Sequence, residues 1–240
     1  MTEIQGIDWR KPEGQEAVQA ALGDALSTLK QLNDPKKLEQ WWVKVLFGLA
    51  QTLQFSYSSL IEGSKQEAIS YCAWCARTLA EAEVWTEYVT RSRDNARRFY
   101  DDWLDDLSDL AKDAVSYTEM NEQQRSDTTD IYGQLSTDAE YVQRGRKALE
   151  EFKDAAEAAD EEYLRISTVA RELGLQWFGR YNKYLSKYVH ATALSVLSFP
   201  SDGHRTNLAH YLLQQGSYSV VRAGASLNEF FKKQGIPYLF

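Results

Sequence analysis

The sequence predicts an all-α fold, and three observations carry that prediction. The four prolines fall at positions 12, 35, 200 and 237, so the interval 36–199 holds no residue that breaks a helix by lacking an N–H. Apolar residues recur at three- and four-residue spacing, and no segment shows the period of two expected of a half-buried strand. A chain of 240 residues, 43% hydrophobic and 12% aromatic, can bury a sizeable core. The expected architecture is a single helical bundle of about seven to nine helices, spanning 14–240 after a polar arm over 1–13.

Each element has its own signal. Val18, Leu22, Ala25, Leu29 and Leu32 predict a helix over 14–32. Asp34 and Pro35 read as an N-cap and first-turn proline for a longer helix carrying Trp42, Val45, Leu46, Leu49, Leu53 and Leu60, which Gly63 would end. Ser64 reads as the cap of a third helix, with Ala68, Cys72, Cys75, Leu79 and Ala82 on one stripe. A helix over 94–118 sets Phe99 and Trp103 opposite Asp101, Asp102, Asp105, Asp106, Asp109 and Asp113. The polar stretch 119–133, with Thr128, Thr129, Asp130 and Gly133, predicts a loop or hairpin. An amphipathic helix with Leu149, Phe152 and Ala156 follows it. Ser167 or Thr168 then caps a short helix that Gly174 ends in the left-handed conformation. Helices over 176–198 and 217–234 complete the chain, the last with Val220, Val221, Leu227, Phe230 and Phe231.

Composition excludes some function classes. No stretch is long and apolar enough to span a bilayer, and no secretory leader is legible, so a cytoplasmic protein without membrane partners is expected. The net charge of -8 argues against broad adhesion to phosphate backbones, although a local basic cleft could still bind RNA. The short helix and its successor superficially match a helix-turn-helix; with no basic recognition face read after the turn, DNA is not an expected partner. Cys72 and Cys75 form a lone CxxC inside a helix, with no second ligand pair, and read as core thiols. None of the three histidines has Glu three residues earlier, so the aspartates at 101–113 read as a solvated face rather than a metal site. Neither metal nor cofactor is expected.

Two constellations carry candidate chemistry. Arg77 and Glu81 share a helix face with Trp74, Trp85 and Tyr88. On the 176–198 helix, Tyr184 belongs to a bulky face, and Ser186 and His190 to a neighbouring small, polar one along which another helix would approach closely. Arg77, Glu81, Tyr184, Ser186 and His190 therefore form either a polar pocket, in which Arg77 orients an anionic group while Glu81 and His190 hold a ligand or proton, or a buried charge network that sets helix register. The second constellation is Arg205 and His210, considered below with its family.

The segments ARTLAEAEVWTEYV at 76–89, ISTVARELGL at 166–175 and YNKYLSKYVHAT at 181–192 together resemble a bacterial family of helical proteins known as a domain of unknown function. In that family an Arg-x3-Glu helix precedes a Tyr-x-x-Leu-Ser-x-x-x-His helix. Arg77 and Glu81 match the first, and Leu185 to His190 fits the second, while Tyr181 to Leu185 is one residue longer. The resemblance covers about residues 35–200 and implies a helical fold without an assigned activity. Arg205-Thr-Asn-Leu-Ala-His210 also resembles the Arg-x4–6-His signature of HEPN ribonucleases, helical proteins of toxin-antitoxin and anti-phage systems. That second resemblance implies a metal-independent cleavage of RNA, with His210 assisting proton transfer at a 2'-hydroxyl and Arg205 stabilising phosphate charge, in a site shared by two copies. Thr206 departs from the Asn, Asp or His usual after the arginine.

The leading expectation is a non-enzymatic binding or regulatory protein, possible partners being another protein or a second copy. The alternative is the nuclease, with RNA as its partner. The apolar tail IPYLF at 236–240 either closes the core or forms a dimer contact.

Overall fold

The computed structural model describes residues 11–32, 38–104, 106, 164–190 and 202–236. These residues are helical, with no strand among them. We number the helices α1 (Pro12–Gln31), α2 (Gln40–Lys65), α3 (Ile69–Arg91), α4 (93–104), α5 (Ile166–Glu172), α6 (Gln176–Val189) and α7 (Asp202–Lys233). An all-α helical bundle is thus the architecture. The chain divides into two compact units, Met1–Ala96 with Arg165–Phe240, and Arg97–Leu164.

In the first unit α3 is the central element, packed on α2, α6 and α7. Its residues Cys72, Cys75, Ala76, Leu79 and Ala82 are almost wholly buried because they recur every three or four positions on one face. Leu22 of α1, Leu53, Tyr57 and Leu60 of α2, Leu185 of α6, and Leu212, Val220 and Ala223 of α7 complete that core. Tyr57 contacts Ser217 through a 3.3 Å hydroxyl pair, and Trp42 packs on Phe230 with ring centroids 5.1 Å apart, so α2 and α7 run antiparallel. In the second unit the described residues show Arg97 paired with Asp101 at 2.7 Å, and Asp102 accepting the Leu164 N–H at 3.0 Å. Two of the expected acidic-face residues therefore have local roles, a helical ion pair and a backbone acceptor.

Several boundaries differ from those the sequence suggests. α2 begins at Gln40, after non-helical Leu38 and Glu39, and not at Pro35. Gly63 does not end it. A Cβ there would lie 2.8 Å from Tyr71 Cδ1 and 3.2 Å from Cys72 Sγ, so glycine is needed for the close approach of α2 and α3. Ser64 does not cap α3 either; its hydroxyl donates to the Ile61 carbonyl at 2.8 Å, inside α2. Similarly, α5 starts after Arg165 with no side-chain cap, so neither Ser167 nor Thr168 caps it. α7 is continuous over 32 residues, starting well before 217. At Gly216 a Cβ would overlap Leu60 Cδ2 and lie 2.9 Å from Leu79 Cδ1; the residue is a packing contact inside a helix, not a break. Asp34, Pro35, the segments expected at 119–133 and up to 163, and residues 237–240 lie outside the described residues. Ile236 itself is buried.

Three helices end in one geometry. In α5 the Leu175 N–H donates to the Ala170 carbonyl and Gly174 N–H to Arg171, with Gly174 at φ 75. In α7 the Ile236 N–H donates to Phe231 and Gly235 N–H to Lys232, with Gly235 at φ 64. Both are Schellman caps, in which glycine adopts the left-handed conformation without a Cβ clash. α2 ends the same way through Ala68 to Gly63 and Glu67 to Ser64, but there the left-handed residue is Glu67, at φ 53.

Candidate functional site

The first candidate cluster assembles in part. Arg77 Nε donates to Glu81 Oε1 at 2.8 Å, and a terminal Arg77 nitrogen reaches Ser186 Oγ at 3.4 Å. Ser186 in turn donates to the Asn182 carbonyl one turn back on α6 at 2.8 Å. The arginine thus ties α3 to the last turn of α6. Both charged side chains keep about 30% of their surface in solvent, so the pair is partly buried.

Tyr184 and His190 take other places. α6 ends at Val189 rather than at 198, and His190 is its C-cap, exposed and with extended backbone, its N–H donating to the Ser186 carbonyl at 3.3 Å. His190 is therefore exposed where partial burial was expected, because the helix ends at the residue before it, and residues 191–198 lie outside the described residues. Tyr184 turns toward α7. Its ring packs edge-on against Tyr188 at 5.3 Å and Tyr211 at 6.3 Å. Trp177 and Tyr181 lie on this same side of α6, and burial raises the phenol pKa of both Tyr181 and Tyr184, keeping them neutral.

Beside this aromatic edge runs a row of cations that the sequence reading does not single out. Arg180, Lys183 and Lys187 are exposed and spaced three and four residues apart, so they form one stripe on α6. α6 carries three Lys and Arg residues and no Asp or Glu in a chain of net charge -8. The face after the Gly174 turn is thus basic, contrary to the sequence reading. Its signal was present in the spacing, hidden by the more conspicuous tyrosines. No protein-family model, curated protein or solved structure matches this chain.

A second feature also escaped sequence reading. Glu83 of α3 is 1% exposed, and both its oxygens accept from Arg222 of α7, at 2.6 and 3.0 Å. The Arg222 guanidinium lies 4.7 Å from the centre of the Trp177 ring, so one cation links α3, α6 and α7. Burial raises the Glu83 pKa; the Arg222 hydrogen bonds and charge, together with the Ser219 hydroxyl, oppose that rise. The buried hydroxyls of Thr86 on α3 and Tyr181 on α6 have no protein hydrogen-bond partner. Cys72 and Cys75 are free, buried thiols, and burial pushes them up to about 12 and about 11, so neither forms a thiolate at neutral pH.

Arg205 and His210 lie in the first turns of α7. Five residues apart on a helix, they point in different directions around its axis. Arg205 donates to the Glu67 carbonyl at 3.4 Å, and Thr206 donates to the Glu67 carboxylate. His210 is exposed. Arg205 and Thr206 therefore hold the left-handed residue of the α2–α3 turn. Thr206, the departure from the ribonuclease pattern, has a structural task here.

This arrangement yields a stability prediction. Glu67→Ala keeps the unfavourable backbone conformation and loses the Thr206 hydrogen bond, whereas Glu67→Gly loses the bond but removes the Cβ clash. Urea unfolding should place Glu67→Gly about 1 kcal/mol above Glu67→Ala in stability. Equal midpoints would show that the turn is not strained.

Proposed function

We propose that this chain is a non-enzymatic helical binding or regulatory protein, and that α6 carries its binding face. The observation supporting this reading is the exposed row Arg180, Lys183 and Lys187 beside exposed Tyr184. In a chain of net charge -8, a local stretch of one sign selects an anionic partner by attraction while the remaining surface repels unsuited ones. A bacterial cytoplasmic setting, within a defence or stress system, follows the resemblances of 76–89, 166–175 and 181–192 and of Arg205 with His210. Two free thiols in one helix suit such a reducing compartment. Arg77, Glu81 and Ser186 then serve to fix α6 on α3 so that the face is held rigid.

The test is binding of fluorescent polyglutamate and of a labelled single-stranded oligonucleotide at low salt. At least one should bind, and the triple substitution Arg180→Glu, Lys183→Glu, Lys187→Glu should weaken it at least about tenfold. Failure of both to bind would remove the reading. The ribonuclease alternative is tested separately by incubating total RNA with the protein in EDTA: intact RNA is expected, and degradation abolished by His210→Ala would overturn the non-enzymatic assignment.

A further inference from the structure

The geometry points to a single-stranded nucleic acid as the anionic ligand of the α6 face, held by its phosphates on Arg180, Lys183 and Lys187 and by its bases on Tyr184, Tyr211 and Tyr218. This inference rests on the proposed binding role of α6 and names its ligand class. It joins two features that are independent in sequence. One is the cation row, in which the helical rise sets neighbours about 4.5 and 6 Å apart along the axis, so the charges can follow consecutive phosphates of one strand.

The other feature is the exposure of aromatic rings along the same edge. Tyr184, Tyr211 and Tyr218 are 38%, 41% and 40% exposed, so each presents part of its side chain to a ligand. Tyr211 and Tyr218 are seven residues apart and share a face of α7; Tyr184 touches Tyr211 across the seam. Around α6 the order is aromatic edge, then Arg180 and Lys187, four residues before and three after Tyr184, which therefore flank its ring. Cations that track a backbone beside rings on which bases stack are the two requirements for binding unpaired strands.

Duplexes fit less well. Their bases are already stacked and cannot use the tyrosines, and three cations on one helix neutralise little of a duplex charge. An acidic protein segment would use the cations but, unlike a nucleic acid with one base per phosphate, does not carry a stackable ring with each charge. The net charge of -8 does not oppose the assignment, because α6 contains no acidic residue, Glu81 beside it is paired with Arg77, and screening confines the repulsion from more distant carboxylates to about 8–10 Å at ordinary salt.

Fluorescence anisotropy with the full chain decides between these ligands, using labelled oligo(U) and oligo(dT) of about twenty nucleotides, a hairpin duplex and polyglutamate. The single strands are expected to bind more tightly than the duplex and polyglutamate, with log K falling by about 2 per decade of salt if three phosphates are engaged. Tyr184→Leu and Tyr211→Leu keep an apolar, smaller side chain and should each weaken oligo(U) binding roughly tenfold, while leaving the thermal melt near that of wild type. Lys183→Gln, at an exposed position, should lower the salt slope by about 0.7. Binding of polyglutamate without binding of the strands would overturn the nucleic-acid assignment and leave the anion-binding role standing. Duplex binding equal to that of single strands, or no effect of either tyrosine variant, would also overturn it. No binding by any probe would end both.

Discussion

Arg222→Ala should destabilise the protein by about 3–5 kcal/mol, whereas Glu83→Gln should cost far less. The asymmetry follows from where each charge lies. The Glu83 side chain is 2% exposed and that of Arg222 is 48% exposed. Removing the arginine strands a carboxylate that water cannot reach, and it also removes the cation over Trp177. Removing the carboxylate instead leaves a guanidinium already half in solvent, which rehydrates, while the amide oxygen introduced by Glu83→Gln can still accept one of its hydrogen bonds. The pH dependence has a definite sign. Burial raises the folded pKa of Glu83 above its ordinary value of 4.5, so the folded state holds the proton more tightly than the unfolded chain. The contribution from this group is therefore largest below the unfolded pKa and declines as pH rises through the folded one. Without Arg222 the folded pKa rises further. The deficit of Arg222→Ala should consequently be smaller at mildly acidic pH than at pH values above neutrality, measured by urea unfolding against wild type at each pH. A deficit that does not change with pH would mean that Glu83 is not stranded.

What the sequence made legible was the helical register of single faces. The stripes of α1, α2 and α3 were readable because each needs only its own spacing, and Leu22, Leu53 and Leu79 are fully buried as expected. Features that depend on a second element were harder to see. Glu83 stands four residues after Leu79 and seven after Ala76, on the buried stripe, yet its neighbours Glu81 and Glu87 make it look like one more surface carboxylate. Its partner is 139 residues away. Gly63 resembles a helix stop in sequence, and only the neighbouring helix shows that it is a contact, as Gly216 also is. For His190 the difference is one of length: no glycine or proline marks the end of α6, so the helical spacing continues in sequence past the residue that caps it. Arg77 and Glu81 could be paired from spacing alone, but the reach of Arg77 to Ser186 spans 109 positions and belongs to packing.

Gly216→Ala should destabilise wild type yet stabilise a Leu60→Ala background. In wild type the new Cβ would overlap Leu60 Cδ2 and stand 2.9 Å from Leu79 Cδ1, and both leucines are fully buried with little room to withdraw. Overpacking of this kind costs about 1–3 kcal/mol, exceeding the gain of roughly 1 kcal/mol from alanine over glycine inside a helix. Leu60→Ala alone should cost about 2–5 kcal/mol, since it removes a fully buried side chain and leaves a cavity between α2, α3 and α7. In that background the methyl group added by Gly216→Ala enters space that Leu60 vacated, and Leu79 can shift into the remainder. The clash is then relieved while the helix propensity gain persists, so the double variant should exceed Leu60→Ala in stability. A complete double-mutant cycle by chemical denaturation measures the coupling directly. If Gly216→Ala has the same sign in both backgrounds, the close α2–α7 approach is not what requires glycine at this position.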